Sequence, residues 1–127
     1  MKTPKIRNLR TMISAAVILL SATTVEATTY QGTVLNVTTA NGAVYIYVGN
    51  GAFGGGGAGS CSNGSGMVYA IQTTPSASDF NKTMIALAIS AKMTGLLVYA
   101  SGDGNCVNGN PYNGNGYEAL AFLDLKG

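Results

Sequence analysis

The side chains able to do chemistry are few, and their types narrow the choice. The 127 residues include no histidine, so serine or thiol catalysis lacks its usual imidazole base. The carboxylates beyond residue 27 are Asp79, Asp103, Glu118 and Asp124. Glu118 and Asp124 fall on one extended stretch, about 20 Å apart along it, too far for paired-carboxylate glycoside chemistry. All four read as solvated surface groups. The run Gly54 to Gly57, with Gly59, leads into Ser60-Cys61 rather than Gly-Lys-Ser/Thr, so it is not a phosphate loop. Cys61 and Cys106, without histidine or a second cysteine pair, do not make a metal site. These residues describe a protein that is not an enzyme and uses no cofactor and no metal.

Tyrosine and asparagine offer more. Tyr45 and Tyr47 alternate on one strand face, Asn50 follows them, and Tyr112 and Tyr117 flank a stretch with Asn105, Asn108, Asn110, Asn113 and Asn115. Aromatic faces meet the C–H faces of sugars, and amides and hydroxyls bond sugar hydroxyls. Tyr45, Tyr47, Asn50, Tyr112 and Tyr117 are therefore candidate ligand-binding residues for a neutral glycan. The competing reading needs no ligand, because tyrosine suits strands and asparagine suits turns.

Charge divides the chain. Lys2, Lys5, Arg7 and Arg10 precede the apolar run Met12 to Leu20, and Val25-Glu26-Ala27 follows. A basic start, a short apolar stretch and small residues near a cut point describe a secretory signal peptide over residues 1–27. The run is shorter than the roughly 20 residues that span a bilayer; an uncleaved anchor is the alternative. Cleavage after Ala27 leaves one domain, 28–127, secreted or periplasmic and with no membrane span. Lys82, Lys92 and Lys126 then face four carboxylates, a net charge of −1. Without a basic patch, the counterion-release term behind nucleic-acid binding is missing. The sparse charge leaves room for self-association.

Cys61 and Cys106 both follow the leader, where the compartment is oxidising, and two cysteines permit one intramolecular connection. Closing that loop of roughly 46 residues stabilises the fold by about 4 kcal/mol in the chain-entropy model. Free thiols or an intermolecular bridge are the alternatives.

The elements follow from pattern and punctuation. Residues 30–38 are rich in β-branched types and read as a strand. Asn41-Gly42 is a type I′ hairpin signal, and Ala43 to Val48 alternates as the second strand. Residues 49–66 read as a glycine loop that Phe53 and Cys61 alone can pin. Met67 to Gln72 is a third strand. Pro75 to Asp79 opens a helix capped by Ser76, which ends near Thr94 with Gly95 in the left-handed position. Leu96 to Tyr99 is a fourth strand, 100–115 a second loop, and Tyr117 to Leu125 a fifth strand. The order β-β-β-α-β-β, with one helix between strands 3 and 4, is that of a small five-stranded OB-like barrel, β-rich α+β in class. A helix on an open five-stranded sheet reads the same way.

At about 100° per residue, Phe80, Met84, Leu87, Ala88 and Ala91 make one apolar stripe of the helix. Ile85, Ile89 and Met93 make a second, which is either covered by a loop or meets another subunit in an oligomer.

From Cys61-Ser62, through the helix end Ala91-Lys92-Met93-Thr94-Gly95, to Leu96-Leu97-Val98-Tyr99, with Cys106 in the next loop, the chain resembles the B subunits of subtilase-cytotoxin-type AB5 toxins and their uncharacterised secreted bacterial relatives. The likeness covers about 40 residues and beyond them only the element order. It implies an OB-fold, a homo-oligomer in the form of a pentamer with helices near the axis, a catalytic partner chain and binding of cell-surface glycans. The long glycine loop departs from that pattern, and no sugar-binding motif matches residue by residue. The expectation is a secreted glycan-binding domain. Its rivals are a structural or interaction protein of the cell envelope and an inhibitor of an extracellular enzyme.

Overall fold

A computed structural model of the protein describes residues 27–54, 66–107 and 116–127. Residues 1–26, which hold most of the expected signal peptide, and the candidates Cys61 and Tyr112 lie outside the described residues. The elements are β1 (Thr29–Ala40), β2 (Ala43–Phe53), β3 (Gly66–Gln72), α1 (Asp79–Thr94), β4 (Leu97–Val107) and β5 (Tyr117–Lys126). The strands close into a ring in the order β1-β2-β3-β5-β4, with β4 returning to β1. The neighbours run antiparallel except β3 and β5, which are parallel.

Local chemistry explains each joint. Asn41 and Gly42 both take positive φ, 51° and 74°, the backbone that a tight hairpin between β1 and β2 needs. β1 carries register shifts at Gln31/Thr33 and Val34/Asn36. Such bulges bend a strand and raise its twist, which lets β1 pair with β2 on one side and β4 on the other. The helix is capped by Ser78, whose Oγ accepts from the Asn81 N–H at 3.1 Å, two residues later than Ser76. Ser78 is the last extended residue, with φ −64° and ψ 161°. Gly95 stops the helix at φ 69°, its N–H bonded to the Ala91 carbonyl at 2.9 Å, as its sequence position implies.

Strand alternation sorts the side chains. Val44, Ile46 and Val48 point inward with Met67, Tyr69, Ile71, Val98 and Ala100. The same core takes in Met84, Ala88 and Ala91, so the helix packs onto the barrel core through one methionine and two alanines. Leu87 and Ile85 pack half-buried beside them. Two helix expectations need correction. Phe80, expected in the buried stripe, is 61% exposed, because the first turn carries it clear of the core. Ile85, expected on the second stripe, belongs to the edge of the core.

Both expected loops begin later than their glycines suggest. β2 continues through Gly49, Asn50 and Gly51 to Phe53, and β4 continues through Gly102 and Gly104 to Val107. The reason at Gly102 is space: any Cβ there would collide with the Glu118 side chain lying across it. Glycine is thus a condition of this ladder and not a break in it.

Candidate ligand-binding site

A cleft of about 330 Å³ opens on the outer surface where β2, β1 and β4 run side by side. It is lined by Gln31, Gly51, Ala52, Phe53, Gly54, Leu97 and Tyr99. Ladder pairing brings them together, since Gln31 on β1 stands opposite Ala52 on β2 and opposite Tyr99 on β4. Val98 and Ala100 point inward, so Leu97 and Tyr99 must point outward.

The β2 wall is held from beneath. The Gly51 N–H donates to Tyr30 Oη at 3.0 Å, and the Gly54 N–H donates to the Thr29 carbonyl at 2.9 Å. The Phe53 ring packs edge-to-face on buried Tyr30, centroids 4.9 Å apart. On the opposite wall, the Tyr99 ring meets Phe122 at 6.2 Å, and Lys126 Nζ stands 6.0 Å from its centroid. That lysine is also tied to Asp124 at 2.7 Å. Among the described residues, the lining has no ionised side chain. It offers two aromatic rings, a leucine, one primary amide, one phenol and glycine-rich backbone, a mostly apolar pocket with a few polar groups that fix orientation.

The residues singled out by sequence lie elsewhere. Tyr45 is buried and packs edge-to-face against buried Tyr117, centroids 5.0 Å apart at 89°. Burial, then the hydrogen bond and charge of Tyr117, raise the Tyr45 pKa. The pair belongs to a second small core with Ala43, Val68 and Ala70, and half-buried Tyr47 packs against it. The Tyr45 and Tyr117 rings are packed into protein and do not present a stacking face. Tyrosine's strand preference, combined with an outer face that is covered over β2 and β3, accounts for that. Asn50 is exposed, in the left-handed region at φ 55°, and is the candidate next to the cleft, one residue before Gly51. Cys106 is not a free thiol; its expected partner Cys61 and the candidate Tyr112 are outside the described residues. Ile89 and Met93 are exposed, Met93 at 81%.

Gln31, Phe53, Leu97 and Tyr99 were not among the candidates. The signal was present: alternation in Leu97-Val98-Tyr99-Ala100 places Leu97 and Tyr99 on one face. That β1 would set Gln31 between Tyr99 and Ala52 depends on barrel closure, which strand patterns do not encode.

Glu118, a surface carboxylate by its sequence context, is 1% exposed instead. Its oxygens accept the Thr28 N–H at 3.1 and 3.3 Å, and Oε1 accepts the Gly104 N–H at 2.6 Å. Beside it, Tyr69 Oη donates to the Thr28 carbonyl at 2.9 Å. Burial first, then the charge of Glu118 and of Tyr99, push the Tyr69 phenol well above its ordinary value of 10.0.

No protein-family model matches the chain, and neither a curated protein nor a solved structure was found to match it. Among the described residues, no helix is long and apolar enough to cross a membrane, and no cluster of three or more histidine, cysteine or acidic residues forms a metal site.

Proposed function

We propose that this chain is an exported, non-catalytic domain of the OB class that binds a neutral glycan in the cleft between Phe53 and Tyr99. The OB reading is supported by the ring order, the parallel β3–β5 pair and the position of the helix between β3 and β4 in the chain. That architecture is a known host for oligosaccharides. One observation carries the ligand class: aromatic walls and the Gln31 amide surround a cleft with no ionised side chain among its described lining residues, and the Gly51 and Gly54 N–H groups pin its β2 side through hydrogen bonds. A wall already ordered binds at lower entropic cost. Export through the leader and a Cys61–Cys106 bridge belong to the same proposal.

A glycan array probed with the mature domain tests it. Binding to neutral sugars, reduced by Tyr99→Ala, supports the reading. An empty array refutes it.

The second reading, an interaction protein of the cell envelope, is favoured by exposed Ile89 and Met93 on the helix. In the toxin-type resemblance this face meets neighbouring copies in a pentamer that a catalytic partner chain joins. Light scattering distinguishes an oligomer from a monomer.

A further inference from the structure

We propose that cleavage after Ala27 places the new α-ammonium of Thr28 against the buried Glu118 carboxylate, so that export processing itself completes an ion pair in the barrel wall. The inference rests on the signal-peptide reading above. It adds a structural consequence that the leader alone does not imply.

Geometry carries it. Thr28 is 5% exposed, and its nitrogen stands 3.1 and 3.3 Å from the two Glu118 oxygens. An amide nitrogen has one hydrogen for those two acceptors, whereas an ammonium has three. The residue is fixed from its other end, because the Thr28 carbonyl accepts from the Gly102 N–H at 3.1 Å and from Tyr69 Oη at 2.9 Å. Thr29 then begins β1.

Charge points the same way. A buried carboxylate is costly unless it is paired or fully hydrogen-bonded. Among the described residues, Lys82 and Lys126 are tied to Asp79 and Asp124 at the surface, and Lys92 is exposed in the last turn of the helix. No side-chain cation is bridged to Glu118 among these residues. The other titratable groups around it are Tyr69 on β3, Asp103 on β4 between Gly102 and Gly104, and Tyr117 beside it on β5. Asp103 is exposed and turned to the Asn105 N–H at 2.8 Å. Cys106, opposite Glu118 in the ladder, is not a free thiol. None of these supplies a positive charge.

The step is ordinary amide hydrolysis by an export-pathway endopeptidase. Water adds across the Ala27–Thr28 bond, its hydroxyl going to the Ala27 carbonyl carbon and its hydrogen to the Thr28 nitrogen. At neutral pH the new acid on the leader gives up a proton and the new amine takes one. The charge appears at the atom that already faces Glu118.

The test uses the full chain, exported from a bacterial host and purified from the periplasm. Mass spectrometry of the amino terminus comes first, and Thr28 is the expected first residue. The α-amine is then titrated by its rate of acetylation with acetic anhydride across pH, folded and in urea. Pairing raises its pKa above the usual range of about 7.7–8.0, whereas burial alone lowers it. The expected result is a rise of about one unit, read as roughly fivefold slower labelling near pH 8 that approaches tenfold below about pH 7, and its loss in Glu118→Gln. Should Glu118→Gln fail to fold, the sign of the shift in the natural protein still decides. A Thr28 terminus whose pKa is ordinary or lowered overturns the pair and leaves export standing. A different terminus, or a retained leader, overturns the processing reading and the pair with it.

Discussion

Replacing Gly102 with alanine attacks the point on which the barrel wall closes. A methyl at this position would overlap the Glu118 Cδ, Oε1 and Cγ atoms. The carboxylate cannot swing aside freely, because the N–H groups of Thr28 and Gly104 hold it. Either the methyl is forced in, which costs about 1–3 kcal/mol as overpacking, or Glu118 moves and loses charge-assisted hydrogen bonds of about 1.5–3 kcal/mol each. Gly102→Ala should therefore destabilise by about 3 kcal/mol, a large share of the roughly 5–15 kcal/mol available to a small domain. Urea unfolding with cysteines oxidised measures it. Gly95→Ala is the control, since φ there is 69° but an added Cβ meets nothing within 4 Å, so its cost is backbone strain of about 1 kcal/mol. If the Gly102→Ala loss is no larger than that of Gly95→Ala, the wedge argument is wrong.

Tyr69→Phe removes the hydroxyl that bonds the Thr28 and Ala100 carbonyls and should cost about 1–2 kcal/mol in the same unfolding assay. Ile89→Lys with Met93→Lys should dissociate an oligomer and leave the midpoint of unfolding nearly unchanged, whereas Ile85→Lys should destabilise, because Ile85 packs against the core; light scattering and urea curves read the two effects separately. Alkaline stability follows from the raised phenols of Tyr45 and Tyr69. Each stays neutral in the fold at a pH where the unfolded chain ionises, so the contribution is whole below about pH 10 and falls by up to about 1.4 kcal/mol per pH unit per residue above it. Thermal melts from pH 8 to 11.5 should be flat and then decline, and the decline should be shallower in Tyr69→Phe.

The elements themselves were legible because each rests on local chemistry. Asn41-Gly42 demands its turn, Val44-Tyr45-Ile46-Tyr47-Val48 sorts itself by alternation, and Gly95 ends the helix by backbone conformation alone. Glycines misled wherever their purpose was close approach: Gly51 and Gly102 sit inside strands because Gln31 and Glu118 lie against them. The site was less legible for a related reason. Composition pointed to tyrosines as a class, but Tyr45 and Tyr117 were drawn into a second core by β3 residues Val68 and Ala70, distant in sequence. Tyr99 stayed on the surface because its face of β4 borders Gln31 and the end of β2. Glu118 looked like a surface acid because nothing within its own strand announces that Thr28, ninety residues earlier, will supply its donor.

Binding in the Phe53–Tyr99 cleft is checked most directly by an NMR titration of the mature, oxidised domain with the neutral oligosaccharide that binds best on the array. Amide shifts should concentrate at Gln31, Gly51 to Gly54 and Tyr99, and Tyr99→Ala should weaken binding about tenfold, equivalent to about 1.4 kcal/mol, without altering the remaining spectrum. Shifts confined to other faces, or an affinity indifferent to Tyr99→Ala, would contradict the assignment of this cleft as the binding site.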